Sequence, residues 1–354
     1  AGARLDPTGW YLVTGGLSGI GLECAHALLE LGARKLVLGG RRAPAPERVE
    51  ELERLRQEYD ADIRTERVDV TSREQVDRLF VEYSSDGSGV RGVVHAAGVI
   101  DDAIIDRTDW SRMARVLGPK AQGAWNLHRG AAEHAPDLDV FVMTSSYGGL
   151  FGNPGQAGHA SANTFLDALA GHRRALGLAG LSLDLGSWSD VGVLAGNDDF
   201  LRRLEDQGVG TISREEGRPA VRAAIEGWSA GQVAVLPTRW HELDPDHHLA
   251  SNPVLAGLTR ASGPAAAEPT SPAATTPADI MACCQDVVAR VLGYDVEELG
   301  ELDLTTTGMD SLNALTIRNK LQQRLSVPLP ASICFDKPTL GELAADIEKR
   351  LTEV

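Results

Sequence analysis

The feature that most constrains the fold is a regular alternation of short apolar runs with longer amphipathic stretches in the first two thirds of the chain. The runs are WYLVT (10–14), KLVLGG (35–40), IRTERV (63–68), GVVHAA (92–97), DVFVMTS (139–145), LSLDL (181–185) and VAVLP (233–237). Nearly continuous apolar strands separated by helical lengths are typical of a parallel sheet covered on both faces. The pattern therefore predicts an α/β domain with a doubly wound, Rossmann-type parallel sheet.

A stretch rich in Ala, Pro, Ser and Thr separates two regions of different composition. It offers almost nothing to bury, so we interpret residues 259–277 as a flexible linker. Beyond it, apolar side chains recur at helical spacing in residues 279–293, 311–325 and 340–351. The chain of 354 residues is also long for one core, because domains commonly hold ~100–200 residues. We therefore predict a sheet domain over residues 1–258, the linker, and a small helical bundle over residues 278–354.

Composition narrows the classes of partner. The formal net charge is −16 at pH 7 and the pI is about 5.0, whereas nucleic acid and anionic lipid require clustered Lys and Arg, so we expect neither partner. No apolar run approaches the ~18 residues of a membrane span and no signal peptide is visible, so we expect a cytoplasmic protein without a membrane partner. The four cysteines lack C-x-x-C spacing, and we expect them reduced, with no metal site.

A glycine-rich turn follows the first apolar run. Its sequence is TGGLSGIG, formed by Thr14, Gly15, Gly16, Leu17, Ser18, Gly19, Ile20 and Gly21. Glycines allow a tight turn and a close approach of the backbone, so that the amides opening the next helix can bind a pyrophosphate. The alternative is a turn that only lets a strand meet a helix. The order strand, turn, helix favours the nucleotide site.

Arg41 and Arg42 follow the second run, where an NAD enzyme usually has a carboxylate for the ribose hydroxyls. Two guanidinium groups would instead bind a 2′-phosphate, which predicts NADPH as the cofactor. A solvated arginine pair in a loop is the alternative. Asp69 and Val70, after the third run, fit an adenine pocket, although an aspartate at a strand end is also a common helix cap.

These residues resemble the short-chain dehydrogenase/reductase superfamily, and in particular the ketoreductase domains of modular polyketide synthases. The resemblance covers residues 8–258 and rests on the segments TGGLSGIG, HAAGVIDD, VLGPKAQGAWNLH, TSSYGGLFGNPGQAGHASANTFLDALA and LDLGSWSDVG. It implies that Ala96, Ala97 and Gly98 also contact the cofactor.

The family uses a Ser, a Tyr, a Lys and an Asn in catalysis, and the matching positions include Ser146, Lys120 and Asn163. The resemblance implies that Ser146 donates a hydrogen bond to the substrate carbonyl oxygen. It also implies that Lys120 holds the ribose and lowers the pKa of the proton donor. Taken alone, the serine is equally typical of a hydroxyl that satisfies a strand end, and the lysine of a solvated charge.

The family's tyrosine position, thirteen residues after Ser146 and four before Asn163, is occupied by His159. A phenol with a pKa of ~10 stays protonated at neutral pH, whereas an imidazolium has a pKa of ~6.5 that a nearby lysine lowers. Loss of a placed general acid typically costs ~10²–10⁴ in rate. The site is therefore expected to be slow, acid-shifted or inactive. Tyr147 adjoins Ser146, but adjacent residues at a strand end point to different sides, so we do not expect it to substitute.

Residues 300–325, GELDLTTTGMDSLNALTIRNKLQQRL, resemble an acyl carrier protein, a four-helix bundle. The segment GMDSL matches that family's phosphopantetheine attachment site, and the matching residue is Ser311. At a helix N-terminus a phosphodiester is favoured by the free amides and the positive dipole end. The alternative for Asp-Ser-Leu is a helix cap followed by an apolar residue.

Together the resemblances imply the C-terminal part of a polyketide synthase, a piece of a larger polypeptide. Its reaction would be NADPH-dependent reduction of a β-ketoacyl thioester, carried on phosphopantetheinylated Ser311, to the β-hydroxy thioester. The expected partners are the acyl thioester on its own carrier domain, a ketosynthase and other synthase domains, and a phosphopantetheinyl transferase. The alternative is a redox-silent or epimerising ketoreductase-like scaffold tethered to a carrier, because His159 replaces the tyrosine.

Two further segments bear on the substrate. Ile100-Asp101-Asp102 resembles the Leu-Asp-Asp marker of B-type ketoreductases, and Phe151 stands where the opposite type usually has Trp, so the resemblance favours a B-type product. The segment from Ser187 to about Asp206 resembles a mobile lid, although its composition also suits a surface loop.

Overall fold

The computed structural model describes residues 5–85, 87–192, 195–227, 231–244, 247–250, 252–259, 276–292, 294, 303–304, 309 and 311–352. The described residues divide into two compact units. The first falls within Ala1–Asp101, Asp109–Gly152 and Gly158–Asp244, and the second within Asp102–Thr108, Asn153–Ala157 and Pro245–Val354. Residues 260–275, most of the predicted linker, lie outside the described residues. The domain boundaries near residues 258 and 277 therefore stay predictions.

Seven strands form the sheet of the first unit. They are β1 (Trp10–Thr14), β2 (Lys35–Gly40), β3 (Asp62–Arg67), β4 (Val90–His95), β5 (Val140–Ser146), β6 (Leu181–Leu185) and β7 (Gln232–Val235). All neighbouring pairs are parallel and the order is β3-β2-β1-β4-β5-β6-β7, so the predicted doubly wound sheet is confirmed. The strand order reverses between β1 and β4, and ligands of such sheets bind beyond the carboxyl ends of the strands at this point.

Helices connect the strands. Among the described residues up to 259 they are α1 (Gly19–Glu30), α2 (Pro46–Tyr59), α3 (Arg73–Ser84), α4 (Trp110–Leu117), α5 (Gly123–His134), α6 (Tyr147–Phe151), α7 (Ala157–Ala175), α8 (Asp198–Asp206), α9 (Arg214–Glu226) and α10 (Ala256–Thr259). A π-helical turn, Gly118–Gln122, lies between α4 and α5, and 3₁₀ turns span Ile105–Arg107 and Pro253–Leu255.

Alternate strand residues pack against two helical layers, because successive side chains of a strand point to opposite faces. Tyr11 and Val13 pack with α1, α2 and α9 on one face, and Trp10 and Leu12 pack with α3, α5 and α7 on the other. Both faces are therefore covered, as the nearly continuous apolar strands predict. The layers leave the carboxyl edge of the sheet to the polar ends of β1, β2, β4 and β5.

The second unit contains helices around its own core. The described helices in its carboxyl-terminal part are α11 (Pro277–Leu292), α12 (Ser311–Leu325), α13 (Ile333–Asp336) and α14 (Leu340–Thr352). Ile280, Val287, Ile317, Leu321 and Leu343 are buried together in that core. The predicted helical bundle is confirmed. Among the described residues no helix combines the length and the apolar character needed to cross a bilayer.

Candidate active site

The glycine turn lies between β1 and α1, at the carboxyl edge of the sheet. Gly15 and Gly19 have φ of +70° and +57°, which residues with a Cβ rarely adopt. A Cβ on Gly21 would lie 2.2 Å from the carbonyl oxygen of Gly15, and one on Gly15 would lie 2.7 Å from the carbonyl of Ala96. The turn is thus a close-packed backbone cradle that leads into the N-terminus of α1.

Buried polar contacts hold the ends of β1 and β4 together. Thr14 Oγ1 lies 2.7 Å from Nδ1 of His95, and the other ring nitrogen of His95 lies 3.1 Å from the carbonyl oxygen of Lys120. The backbone amide of Ala96 donates to the carbonyl oxygen of Thr14. Burial, and to a smaller degree the charge of Lys120, lowers the pKa of His95 to about 4, so this ring is neutral. The Ala96–Ala97 backbone therefore abuts the glycine turn.

A cavity of about 390 Å³ lies beside the turn, at the ends of β2 and β3. Its lining residues are Leu17, Arg41, Arg42, Ala43, Pro44, Thr65, Glu66 and Arg67. Arg41, Arg42 and Arg67 are exposed there. The one carboxylate in the lining, Glu66, accepts a hydrogen bond from the hydroxyl of Tyr83 at 2.7 Å. The cavity thus presents three guanidinium groups next to the predicted phosphate-binding turn.

Asp69 and Val70 lie just after β3. The carboxylate of Asp69 accepts hydrogen bonds from the amide and the hydroxyl of Thr71, at 3.0 and 2.8 Å. The side chain of Val70 is buried in the core, and its carbonyl oxygen accepts from Asn126. The structure thus assigns both residues local structural contacts, and their contact with adenine stays a prediction.

Lys120 and Asn163 meet inside the protein. Lys120, in the π-helical turn, is 9% exposed, and its Nζ donates to the Asn163 side-chain oxygen at 2.7 Å and to the carbonyl oxygen of Thr144 at 2.9 Å. A Cβ on Gly98 would lie 2.9 Å from Cε of this lysine, so glycine makes room for its stem. Burial lowers the pKa of Lys120 to about 8, against the opposing effect of Asp167 and Asp184.

His159 lies one helical turn before Asn163 on α7. Its carbonyl oxygen accepts from Nδ2 of Asn163 at 2.8 Å, so the histidine and the lysine share one amide side chain. Its Nδ1 is buried without a hydrogen-bond partner among the described residues. Burial, and then the charge of Lys120, lowers the pKa of His159 to about 4. The lysine effect expected from the sequence is therefore the smaller of the two causes.

Ser146 ends β5, two residues beyond the carbonyl that receives Lys120. Its Oγ accepts a hydrogen bond from the amide of Gly148 at 3.3 Å and caps α6. Tyr147 is 6% exposed, and burial raises its pKa to about 12. The strand end and the lysine contact thus place Ser146 at the same edge of the sheet as Lys120 and Asn163.

In the second unit, α12 begins at Ser311. The side chain of Ser311 lies outside the part of the chain that the structure describes, but the helix start agrees with the expected position of an attachment serine.

The KR domain family profile matches residues 9–190, just over half of the chain. A second profile, the phosphopantetheine attachment site, matches residues 285–347. The chain belongs to the ketoreductase family of polyketide synthases. In this chain, the KR domain is followed by a carrier domain.

Relatives of known description cover nearly the whole chain. The spectinabilin polyketide synthase system protein NorB of Streptomyces orinoci is 36% identical over 98% of this chain and 17% of its own length. The 6-methylsalicylic acid synthase of Penicillium patulum is 32% identical over 98% of this chain and 21% of its own length. The ketoreductase and carrier pair thus spans about a fifth or less of these much longer synthases.

Solved ketoreductases share the fold. A ketoreductase from the first module of phoslactomycin biosynthesis in Streptomyces sp. HK803 has a TM-score of 0.66 and 34% identity, over 75% of this chain and 60% of that one. A structure described as an A1-type ketoreductase has a TM-score of 0.66 and 33% identity, over 73% and 54% of the two chains. The sheet and its helical layers are therefore those of a polyketide synthase ketoreductase.

Sequence reasoning missed several residues around this ketoreductase site. Arg67 ends β3, which pairs with β2 in parallel. Because the carboxyl ends of neighbouring parallel strands lie side by side, its position could have been inferred from that of Arg41 and Arg42. Asp184 is a charged residue inside the apolar run LSLDL, and a charge in a buried strand is itself unusual. His95 is likewise a polar residue at the end of an otherwise apolar, buried run, GVVH. Nothing local distinguishes Asp167, which lies on α7.

A cluster elsewhere has the composition of a metal site. Ligand atoms of Asp77, Glu133 and His134 lie within 4.8 Å of one another. Arg73, however, donates to Asp77 at 2.6 Å and to Glu133 at 2.7 Å. The guanidinium group of Arg73 thus pairs with both carboxylates, so the cluster is an ion-pair network on α3 and α5.

Proposed function

We propose that the first unit reduces a β-ketoacyl thioester to the β-hydroxy thioester with NADPH, and that the chain is carried on phosphopantetheine attached to Ser311. The observation that carries the proposal is the buried contact of Lys120 with Asn163 and with the end of β5, which leads to Ser146. These residue types match the ketoreductase pattern at the carboxyl edge of the sheet, where ligands of such folds bind.

The residues present fit a phosphorylated dinucleotide. The turn has no space for a side chain at Gly15 or Gly21, and the φ of +57° at Gly19 also favours glycine, as expected where a pyrophosphate must approach backbone amides. Arg41, Arg42 and Arg67 supply three positive charges beside it, which favours a 2′-phosphate and hence NADPH over NADH. Bound there, NADPH supplies the hydride for the carbonyl carbon.

The other roles belong to side chains of this chain. Ser146 donates its hydroxyl to the substrate carbonyl oxygen and stabilises the negative charge that develops on it. Lys120 presents its ammonium group to the ribose, and Asn163 fixes the lysine by accepting from Nζ. His159, in the tyrosine position, is the group that must give the oxygen its proton.

Proton donation by His159 is weak at neutral pH. With a pKa of about 4, only about a thousandth of the imidazole is protonated at pH 7, and the fraction rises tenfold for each unit of acidification. We therefore infer slow, acid-shifted reduction. The same observation favours a second candidate function, a redox-silent scaffold that holds the carrier domain.

The proposed B-type product rests on Ile100-Asp101-Asp102. The Asp101 carboxylate is 10% exposed and contacts Arg112 at 2.6 Å and Arg115 at 2.8 Å. Asp102 accepts from the side-chain amide of Gln156 at 2.6 Å. Both acidic side chains are thus fixed by partners, which supports a role in shaping the path of the substrate.

His159→Tyr tests the reaction. We expect NADPH oxidation with a diketide thioester at pH 7 to rise by ~10²–10⁴, because a phenol keeps its proton there. The wild-type rate should rise between pH 8 and pH 5.5, and the variant should lose this acid dependence. Tyr147→Phe, which removes only a neighbouring buried hydroxyl, is the control and should leave the wild-type rate unchanged.

Other outcomes separate the alternatives. NADPH binding without oxidation in both wild type and His159→Tyr would show a redox-silent scaffold. Exchange of the α-proton of the thioester without appearance of oxidised nicotinamide would show epimerisation.

The carrier assignment has its own test. A phosphopantetheinyl transferase and coenzyme A should load the full chain once, detected as one mass increment of intact protein, and Ser311→Ala should stay unloaded. Thr316→Ala, on the same helix, should load normally. Loading of Ser311→Ala would contradict the assignment.

A further inference from the structure

Lys120 carries its charge in a buried setting without a carboxylate among its described hydrogen-bond partners. Nζ donates to the carbonyl oxygen of Thr144 and to the amide oxygen of Asn163, both of them neutral groups. An ammonium group out of water is strongly disfavoured unless an opposite charge compensates it. The protein must therefore place a negative charge nearby if this lysine is to stay protonated.

Two carboxyl groups lie behind the site. Asp184, on β6, is fully buried and lies in register with Ser145 of β5. Its Oδ2 accepts a hydrogen bond from the side-chain amide of Gln232 at 2.8 Å, and its Oδ1 is buried without a hydrogen-bond partner among the described residues. Asp167 of α7 accepts from Ser182, which lies two residues before Asp184 on the same face of β6. Two carboxyl groups that interact in the interior disfavour each other's ionised form.

The carboxyl pair is connected to the lysine through α7. The hydroxyl of Ser145 lies 3.3 Å from the carbonyl oxygen of Asn163, whose side chain receives Lys120. On the outer side, the hydroxyl of Ser182 donates to Asp167 at 2.6 Å, and Asp167 is half-buried. Asp167 is thus tied to β6 through Ser182, Asp184 of β6 lies in register with Ser145, and Ser145 contacts the residue that receives Lys120.

We propose that Asp184 and Asp167 are positioning residues that together form the counter-charge of Lys120 and keep its ammonium group protonated inside the protein. Their meaning for catalysis rests on the proposed reduction, because only there does Lys120 hold a ribose. Their effect on the charge of Lys120 does not depend on it.

The titration directions agree with this arrangement. Both carboxylates act to raise the pKa of Lys120, which burial lowers to about 8. Burial, and then the charge of Asp167, raises the pKa of Asp184 to about 7. Ionisation of either carboxyl group therefore favours the protonated form of Lys120. The other titratable groups that interact with Lys120 are His95 on β4 and His159 on α7, and both are neutral above about pH 4.

The test measures the charge of Lys120 directly in the full chain. Lysine labelled with ¹³C and ¹⁵N at the ε position gives few signals, because the chain has only five lysines: Lys35, Lys120, Lys320, Lys337 and Lys349. The signal absent from Lys120→Gln identifies the buried one. In Asp184→Asn we expect its titration midpoint to fall by ~1 unit or more, since removing an opposite charge destabilises the ammonium.

Matched measurements keep the result interpretable. Asp139→Asn removes a carboxylate that precedes β5 and pairs with Arg91, and it should leave the Lys120 midpoint in place. If Asp184→Asn does not fold, Asp167→Asn changes a half-buried position and should shift the midpoint in the same direction. The conservative Asp184→Glu should restore at least part of the wild-type value.

An unchanged Lys120 midpoint in folded Asp184→Asn or Asp167→Asn would overturn the counter-charge. Absence of NADPH oxidation in the wild type would instead refute the proposed reduction and leave this titration unaffected. If both proposals hold, the alkaline limb of the His159→Tyr rate profile should move to lower pH when Asp184→Asn is added.

Discussion

At the scale of single residues, the proposed site combines residues that match the ketoreductase pattern with one departure, His159 in the proposed donor position. Lys120 and Asn163 are joined by a 2.7 Å hydrogen bond, and the glycine turn has the backbone that a dinucleotide requires. His159 occupies the donor position, yet burial favours its neutral form. A chemical group can thus be well placed and still have the wrong pKa, because placement and protonation depend on different interactions.

The arginine cluster makes a prediction about the cofactor. Arg41→Ala combined with Arg42→Ala should weaken NADPH binding by ~100-fold, because each charge-assisted hydrogen bond is worth ~1.5–3 kcal/mol and Arg67 remains. NADH binding should change little, because NADH lacks the 2′-phosphate. Calorimetric titration of both nucleotides measures the difference. Arg54→Ala, an exposed arginine on α2, is the control. Equal losses for both nucleotides would contradict a 2′-phosphate site.

At the scale of elements, α1 connects the glycine turn to the rest of the first unit. Its N-terminus follows the glycine turn, and its buried Glu23 contacts Arg214 at 3.1 Å and Arg218 at 2.8 Å on α9. Gly217 of α9 in turn leaves space for the indole of Trp188, since a Cβ there would lie 2.1 Å from the ring. The segment after β6 is thus anchored, through α9, to the helix that follows the glycine turn.

Gly21→Ala should disturb both stability and binding. The added Cβ would lie 2.2 Å from a backbone oxygen, so the turn must move, and overpacking of this kind typically costs ~1–3 kcal/mol. NADPH affinity should fall by ~10-fold or more, since ~1.4 kcal/mol of lost contact corresponds to a factor of ten. Gly171→Ala, in α7 with no atom within 4 Å of its Cβ, should stabilise the protein by ~0.5–1 kcal/mol. Urea unfolding and nucleotide titration measure both effects.

Glu23→Gln tests the anchoring of α9. The Glu23 side chain is 1% exposed, while those of Arg214 and Arg218 are 36% and 24% exposed and keep some water contact. We expect a loss of about 2 kcal/mol, below the ~3–5 kcal/mol typical of fully buried pairs. Glu53→Gln breaks an exposed pair with Arg56 and should cost less than ~0.5 kcal/mol. Tryptophan fluorescence during urea unfolding reports on this unit, because all six tryptophans precede residue 245. Equal effects of the two variants would be evidence against the anchor.

At the scale of the whole molecule, the two units differ in their histidines. All nine precede residue 249, and the helical segment from residue 278 onward has none. Four of them, His26, His95, His128 and His159, have pKa values lowered to about 4, in each case first by burial. The sheet unit therefore contains an acid-sensitive core that the carrier helices lack.

Acid should destabilise the sheet unit selectively. A histidine that titrates near 4 when folded and near 6.5 when unfolded binds more protons in the unfolded state between these values, so stability falls as pH drops through that window. The fully buried His95 alone accounts for a loss of about 3 kcal/mol of folding stability by the acid end of that window, near pH 4. Calorimetry of the full chain from pH 7.5 to 4.5 measures the unfolding temperatures, and tryptophan fluorescence identifies the transition that belongs to the sheet unit. As the pH falls, this transition should move to lower temperature by more than the transition of the carrier helices. A fluorescence midpoint that stays constant over this range would contradict the assignment.

The sequence by itself determined the parts that depend on local or periodic information. The alternating runs located the seven strands, each within two residues of its observed ends, and the central strands are apolar along their length because they are buried on both faces. The edge strand β3 is polar and largely exposed, so its position followed from the spacing of the runs. The glycine spacing located the turn, because only glycine fits its backbone. The family pattern singled out Ser146, Lys120, Asn163 and His159, and located the carrier helix that begins at Ser311.

Only the tertiary structure decided what surrounds those residues. It brought Arg67 beside Arg41 and Arg42, and it placed Asp167 and Asp184 behind Lys120, although these residues lie on elements far apart in sequence. It also showed that burial, more than the neighbouring lysine, keeps His159 neutral. The physical reason is that charge and solvation depend on distances through space, and parallel strand order sets those distances only when the chain is folded.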